Sequence, residues 1–199
     1  EELEPADRAW AYFLLCRGHQ HLGRLVIARA VFAGLEELRT KLPQEIETQM
    51  PALRAELAAA EGRLDEAFSD WLRALDAARA AGDANAETYS LLCLAAIERR
   101  REHYADAIAW AERGRALAQS LGFPFLLVKL WTETGRIERE RAQPDLARRA
   151  WTTGRRLARS LELYPDLFEI YLELWRLAGQ QRNEAERRSC LRSLKHLSR

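Results

Sequence analysis

The sequence predicts an all-α protein: a right-handed α-solenoid of about five antiparallel helix pairs. Three observations predict it. Ala, Leu, Arg and Glu, all strong helix formers, dominate the 199 residues. Gly and Pro number only 10 and 6, so few positions interrupt a helix. An alanine also recurs, at Ala28, Ala67, Ala107, Ala147 and Ala185, with spacings of 39, 40, 40 and 38, a period that suits one helix hairpin per repeat. Val, Ile and Thr are too scarce for a sheet, and no run approaches the roughly 18 apolar residues of a membrane span. At 48% apolar and 31% charged, the chain has the balance of a folded domain rather than a disordered one.

Taken in order, the pattern predicts first helices over 5–21, 45–60, 85–101, 124–141 and 166–179. The second helices follow over 24–40, 64–80, 105–121, 145–161 and 183–197. Together they make one repeat domain, 1–199, with units at 5–40, 45–80, 85–121, 124–161 and 166–197. The strings that open the second helices align, as in Gly62-Arg-Leu-Asp-Glu-Ala67 and Ala142-Gln-Pro-Asp-Leu-Ala147. Four residues after the recurrent alanine stands a large aromatic, Phe32, Trp71 or Trp151; seven after it stands a small residue, Ala74, Gly114 or Gly154. Offsets of four and seven share one helical face. The small residue admits a neighbouring backbone and the aromatic fills the space beside it. Asp65, Asp145 and Asn183 are placed to cap helix N-termini. Pro124 and Pro165 open helices, and Pro144 stands just before one. Gly82 and Gly122 follow second helices as stops.

In the recurrent alanine, the aromatic four residues on, the small residue seven on, and Gly23 or Gly62 in the tight turn, the chain resembles the tetratricopeptide repeat family. The resemblance covers essentially the whole chain. Its period is about 40 rather than the family's 34, so each helix is longer by nearly a turn. The Trp, Gly and Tyr usual in the first helix are mostly missing. The long period is similar to that of repeats in bacterial LuxR-type, maltotriose-responsive transcription activators and in signal-transduction ATPases. The resemblance implies a stack whose first helices line a concave face, an extended groove with no catalytic requirement.

Net charge is +1, which gives no reason to expect a nucleic-acid binder. The distribution is uneven. Residues 1–97 hold 10 basic and 16 acidic side chains, net −6, whereas 98–199 hold 21 and 14, net +7. That split permits head-to-tail self-association into a homo-oligomer. Three cysteines, Cys16, Cys93 and Cys190, share no motif, which points to a reducing, cytoplasmic compartment. The chain opens on Glu1 without a basic start or an apolar stretch, and reads as a segment of a longer protein.

Phosphate-binding, dinucleotide-binding and nucleophile-elbow glycine motifs are absent, so no enzyme and no cofactor is expected. Cys16 and His19 share a face, but no second Cys/His pair completes a metal site, and the two are read as packing. Trp71, Trp151, Trp131 and Trp175 are read as core, and Trp110 as packing between units. The resemblance projects Trp10, Phe13, Arg17, Gln20, His21, Gln49, Glu56, Tyr89, Leu92, Arg99, Lys129, Thr132, Arg136 and Arg139 toward the concave side. Trp10, Phe13, Arg17, Tyr89, Arg99, Lys129, Arg136 and Arg139 are taken from it as the partner-binding set, because aromatics beside Arg anchor contacts. Arg99, Lys129, Arg136 and Arg139 would focus positive potential on an acidic peptide. A solvated arginine-rich face, with Glu133 and Glu140 as local partners, is the other reading. Some chaperone-binding members of the family hold a C-terminal carboxylate with Lys and Asn; Phe13 and Arg17 stand there instead, so that ligand is not expected. The basic tail, Arg187 to Arg199, reads as the polar face of a capping helix. The function expected is a non-catalytic protein- or peptide-interaction module of a bacterial regulatory or signalling protein. A small-molecule sensor domain of a transcription activator is the alternative.

Overall fold

The structure is a computed structural model that describes residues 4–198. Among them every regular element is helical. The helices are α1 Pro5–His21, α2 Leu25–Glu37, α3 Gln44–Glu47, α4 Met50–Ala60, α5 Leu64–Ala80, α6 Ala84–Arg100, α7 Tyr104–Leu121, α8 Pro124–Glu140, α9 Pro144–Ser160, α10 Tyr164–Gln180 and α11 Glu184–Leu197. A single 3-10 turn, Arg39–Lys41, follows α2. The helix expected over 45–60 is broken between α3 and α4. Pro51 is the cause: it has no N–H to donate and its ring crowds the preceding turn, so the helix restarts there.

The turns keep a 20-residue beat. Left-handed backbone recurs at Gly62, Gly82, Glu102, Gly122, Ala142, Glu162 and Arg182. At Gly62 this costs little, whereas at Ala142 (φ 58°) the side chain opposes it. Each such residue closes a helix with a reversed hydrogen bond, as from Arg63 N–H to the Ala58 carbonyl at 2.8 Å. Asn183 caps α11 as expected, accepting from Glu186 N–H at 3.2 Å. Asp65 and Asp145 fall inside the first turn instead, and the cap positions belong to Arg63 and Gln143, whose side chains make no cap bond. Their charges still favour the positive helix end. Asp83 is a cap the sequence reading missed; its Oδ1 accepts from Asn85 and Ala86 N–H.

Two compact units make up the chain, Glu1–Ser90 and Leu91–Arg199. In the first, α1 packs on α2 and α4 on α5. Its core joins Phe13, Cys16, Phe32, Leu35, Ile46, Leu53 and Leu57. Cys16 donates its thiol to the Ala28 carbonyl at 3.4 Å. Burial, with Glu56 adding, pushes that thiol up to about 11, so it stays protonated and packs as an apolar group.

In the second unit each helix from α7 to α11 packs on the next. The recurrent alanines Ala107 and Ala147 are fully buried, as Ala28 and Ala67 are in the first unit. Ala185 departs from them: on terminal α11 it is exposed, because no further described helix covers that face. Trp151, also fully buried, lays its indole across Gly135 and donates Nε1–H to the Thr132 carbonyl at 3.0 Å. Trp131 and Trp175 are only half-buried. Arg115 lies over the first ring at 4.3 Å and Arg187 over the second at 4.8 Å. A Cβ at Gly135 would overlap the Trp151 indole. Gly135→Ala should therefore cost about 2 kcal/mol, read in a thermal melt as a Tm lower by roughly 4–8 °C.

Candidate functional site

The expected basic face lies in the second unit, on α6, α8 and α10. Arg99 Nε donates to Glu133 Oε1 at 2.6 Å and Nη1 to Glu140 Oε1 at 2.8 Å. Lys129 Nζ lies 2.9 Å from Asp166 Oδ1. Arg136 reaches Glu133, Glu169 and Glu173, and Arg139 grips Glu173 and Glu140. Arg176 adds a further contact to Glu173 at 3.5 Å. Glu133, Asp166 and Glu173 are buried. Burial alone would lower Arg136; the carboxylates of Glu133 and Glu169 offset it and hold the guanidinium above its ordinary value.

These cations are therefore matched by carboxylates of the same face. A groove of surplus positive charge for an acidic peptide does not form, and the reading with Glu133 and Glu140 as partners describes the face better. The signal was present in the sequence: most partners lie 33 to 37 residues on, one helix pair later. Glu173→Gln would leave Arg136 and Arg139 short of charge. It should cost about 2–3 kcal/mol, read as a lower urea midpoint with unchanged slope.

The first unit carries a cavity of about 410 Å³, bounded by α1, α3, α4, α5 and α6. Arg17 enters from α1 and Glu56 from α4. Trp71 of α5 and Tyr89 of α6 meet edge to face, their ring centres 5.7 Å apart. Alanines of α4, α5 and α6, Ala81 just beyond α5, and Thr48, Gln49 and Ser90 form the rest of the wall, and Glu45 and Asp83 stand at exposed positions of the lining. Tyr89 Oη donates to Glu56 Oε1 at a long 3.4 Å. Glu56 makes no ion pair among the described residues. Burial pushes its carboxyl above the usual range, against the smaller opposing pull of Arg17, Tyr89 and His21. A cleft that perturbs a carboxyl in this way is a candidate binding site.

Of the eight residues taken as partner-binding, the cavity brings together Arg17 and Tyr89. Trp10 is 38% exposed and stands edge-on to Phe13 at 5.8 Å. Phe13 is a correction: at 4% exposure it belongs to the core under α1, packed with Phe32 and Leu35, and presents no face to a partner. Arg99, Lys129, Arg136 and Arg139 belong to the ion-pair face. Glu56 and Gln49 were projected inward by the register but not selected, and both line the cavity. Trp71 is core, as read, yet one side of it also forms wall. Elsewhere, Glu98, His103 and Asp106 lie close together. Both oxygens of Glu98 are engaged there, with Arg101 and His103 Nδ1 at 2.7 Å each.

No family model and no curated protein matches the chain. Solved structures do. A Rap protein complexed with competence and sporulation factor superposes with a TM-score of 0.90 at 11% identity, over 99% of this chain and 56% of that one. A signal-transduction ATPase with a tetratricopeptide repeat sensor, from Pyrococcus horikoshii, gives 0.71 at 16% identity, over 86% and 27%. A kinesin light chain with tetratricopeptide-like repeats, from Podosopora anserina, gives 0.67 at 15% identity, over 99% and 97%. The fold is thus that of the tetratricopeptide-like helical repeats. The chain spans about half the length of the Rap protein and about a quarter of the ATPase. No described helix is long and apolar enough to cross a membrane.

The folded state holds the Glu56 proton more tightly than the unfolded chain does. Stability therefore falls as pH rises through the ordinary carboxylate range toward the raised value. Glu56→Gln should melt higher than the wild type near about pH 7, and the difference should vanish near about pH 3.

Proposed function

We propose that the chain is a non-catalytic module that holds a protein or peptide segment, within a bacterial regulatory or signalling protein of the cytoplasm. The cavity of the first unit carries this reading. It places an aromatic pair, a guanidinium and a half-buried carboxylate around a space large enough for a side chain of a bound segment. Arg17 and Tyr89 within the cavity, and Trp10 outside it, are the proposed contact residues of the module. Arg99, Lys129, Arg136 and Arg139 are proposed to support the fold rather than to meet the partner, since carboxylates already hold them. The fold of the Rap protein, which is complexed with competence and sporulation factor, supports the proposal by analogy.

The second reading is an effector-sensing domain of a transcription activator. It is favoured by the cavity volume, which falls in the range of small-molecule sites. Selection of random displayed peptides against the intact chain separates the two. Enriched peptides should bind, and should lose about tenfold in affinity with Arg17→Ala or Tyr89→Ala, the effect of about 1.4 kcal/mol of contact. No enrichment, or equal binding to those variants, would overturn the module reading. A rise in Tm with a single small metabolite in a thermal-shift panel would favour the sensor.

A further inference from the structure

The cavity of the first unit has a charge preference, and the argument for it starts from one side chain. Glu56 stands in the α4 wall, half-buried, and accepts a single long hydrogen bond from Tyr89. An ionised carboxylate has about four acceptor sites. Among the described residues no cation pairs with it. Arg17, the one cationic side chain in the lining, makes no ion pair there either, and its guanidinium rests 5.8 Å from the centre of the Phe13 ring.

The remaining charges at the cavity are Glu45 and Asp83. Asp83 is occupied in capping α6, yet its charge still contributes to the field. One cation thus faces three carboxylates. The unit that holds the cavity shares this sign: residues 1–90 carry 10 basic and 16 acidic side chains, net −6. An anion entering here would meet Arg17 but be repelled by the three carboxylates, whereas a cation gains from all three against Arg17 and the pull of His21 on Glu56.

The walls narrow the choice further. Ala52, Ala74, Ala77, Ala78, Ala81 and Ala86 offer methyl groups, and the polar side chains of the lining, Thr48, Gln49 and Ser90, already donate to the Glu45 and Ala86 carbonyls, which leaves a surface suited to an aliphatic stem. Tyr89, 38% exposed and hydrogen-bonded to Glu56, supplies an aromatic ring beside the carboxylate, where a delocalised cation is stabilised, and buried Trp71 backs it edge to face.

We infer that this cavity receives a positively charged group on a flexible aliphatic stem, the guanidinium of an arginine or the ammonium of a lysine in the bound segment, with Glu56 as its counter-ion and Tyr89, backed by Trp71, as its aromatic wall. This rests on the module reading above. The carboxylate fixes sign, the alanines take the stem and Tyr89 covers the head group.

The test is calorimetric titration of the intact chain with a capped arginine tripeptide, its citrulline analogue and free agmatine. Citrulline keeps the shape of arginine and lacks its charge. The arginine peptide should bind at least about tenfold more tightly than the citrulline peptide. Glu56→Gln should abolish that difference while the protein melts no lower than the wild type, which separates lost recognition from lost folding. Ala52→Met, which fills the cavity, should weaken the arginine peptide without touching any charge. Equal binding of the arginine and citrulline peptides would overturn the inference while leaving the module reading intact. Absence of binding by all three probes would overturn the inference; the module reading would then fail only if peptide selection also yielded nothing. If agmatine binds as well as the arginine peptide, the charge preference stands and the sensor reading replaces the module reading.

Discussion

Close approach of neighbouring helices at small residues is the constraint on which everything else in the molecule depends. Ala28, Ala67, Ala107 and Ala147 are wholly buried, and Gly114, Gly135 and Gly154 lie where larger side chains from adjacent helices cross. A helix pair of this kind cannot hide its own apolar stripe. It must present one side to the preceding pair and another to the next, and each contact works only if one partner gives up volume. Trp151 over Gly135 is the tightest case: the ring occupies the space that a side chain on α8 would otherwise take. The same economy of volume along α5 leaves a wall of alanines, and the wall makes the cavity.

Electrostatics distinguishes the two units. In the second, buried Glu133, Asp166 and Glu173 are each answered by a cation from a neighbouring helix or turn. Their desolvation is offset within the fold, and little is left over for a ligand. In the first, Glu56 is half-buried with one long hydrogen bond and no ion pair among the described residues. A side chain kept under such conditions works against stability, as groups serving recognition commonly do.

Much of this was legible in the sequence. Helix positions followed from the alanine period and from Gly and Pro punctuation, because both act through local sterics that tolerate little context. The break at Pro51 was missed although the proline was in view, since an isolated proline also suits a helix start. Phe13 was misplaced because register gives the direction of a side chain but not how deeply the next helix covers it. Asp65 and Asp145 were misread as caps because each helix starts earlier than the pattern suggests, its cap two residues before the aspartate, at Arg63 and Gln143. The matched cations were misread for a different reason. Cations were gathered from two first helices, when the counts that mattered ran from each to the carboxylate one pair later.

That ladder has a mechanical side. Glu173 of α10 is held by Arg136 and Arg139, which stand one turn apart on α8. A carboxylate clasped from two heights resists sliding in either direction, since a shift of even one residue, about 1.5 Å along the axis, loosens one clasp as it strains the other. The rungs therefore act as a vernier, setting the offset between α8 and α10 more finely than interlocking methyl groups alone would.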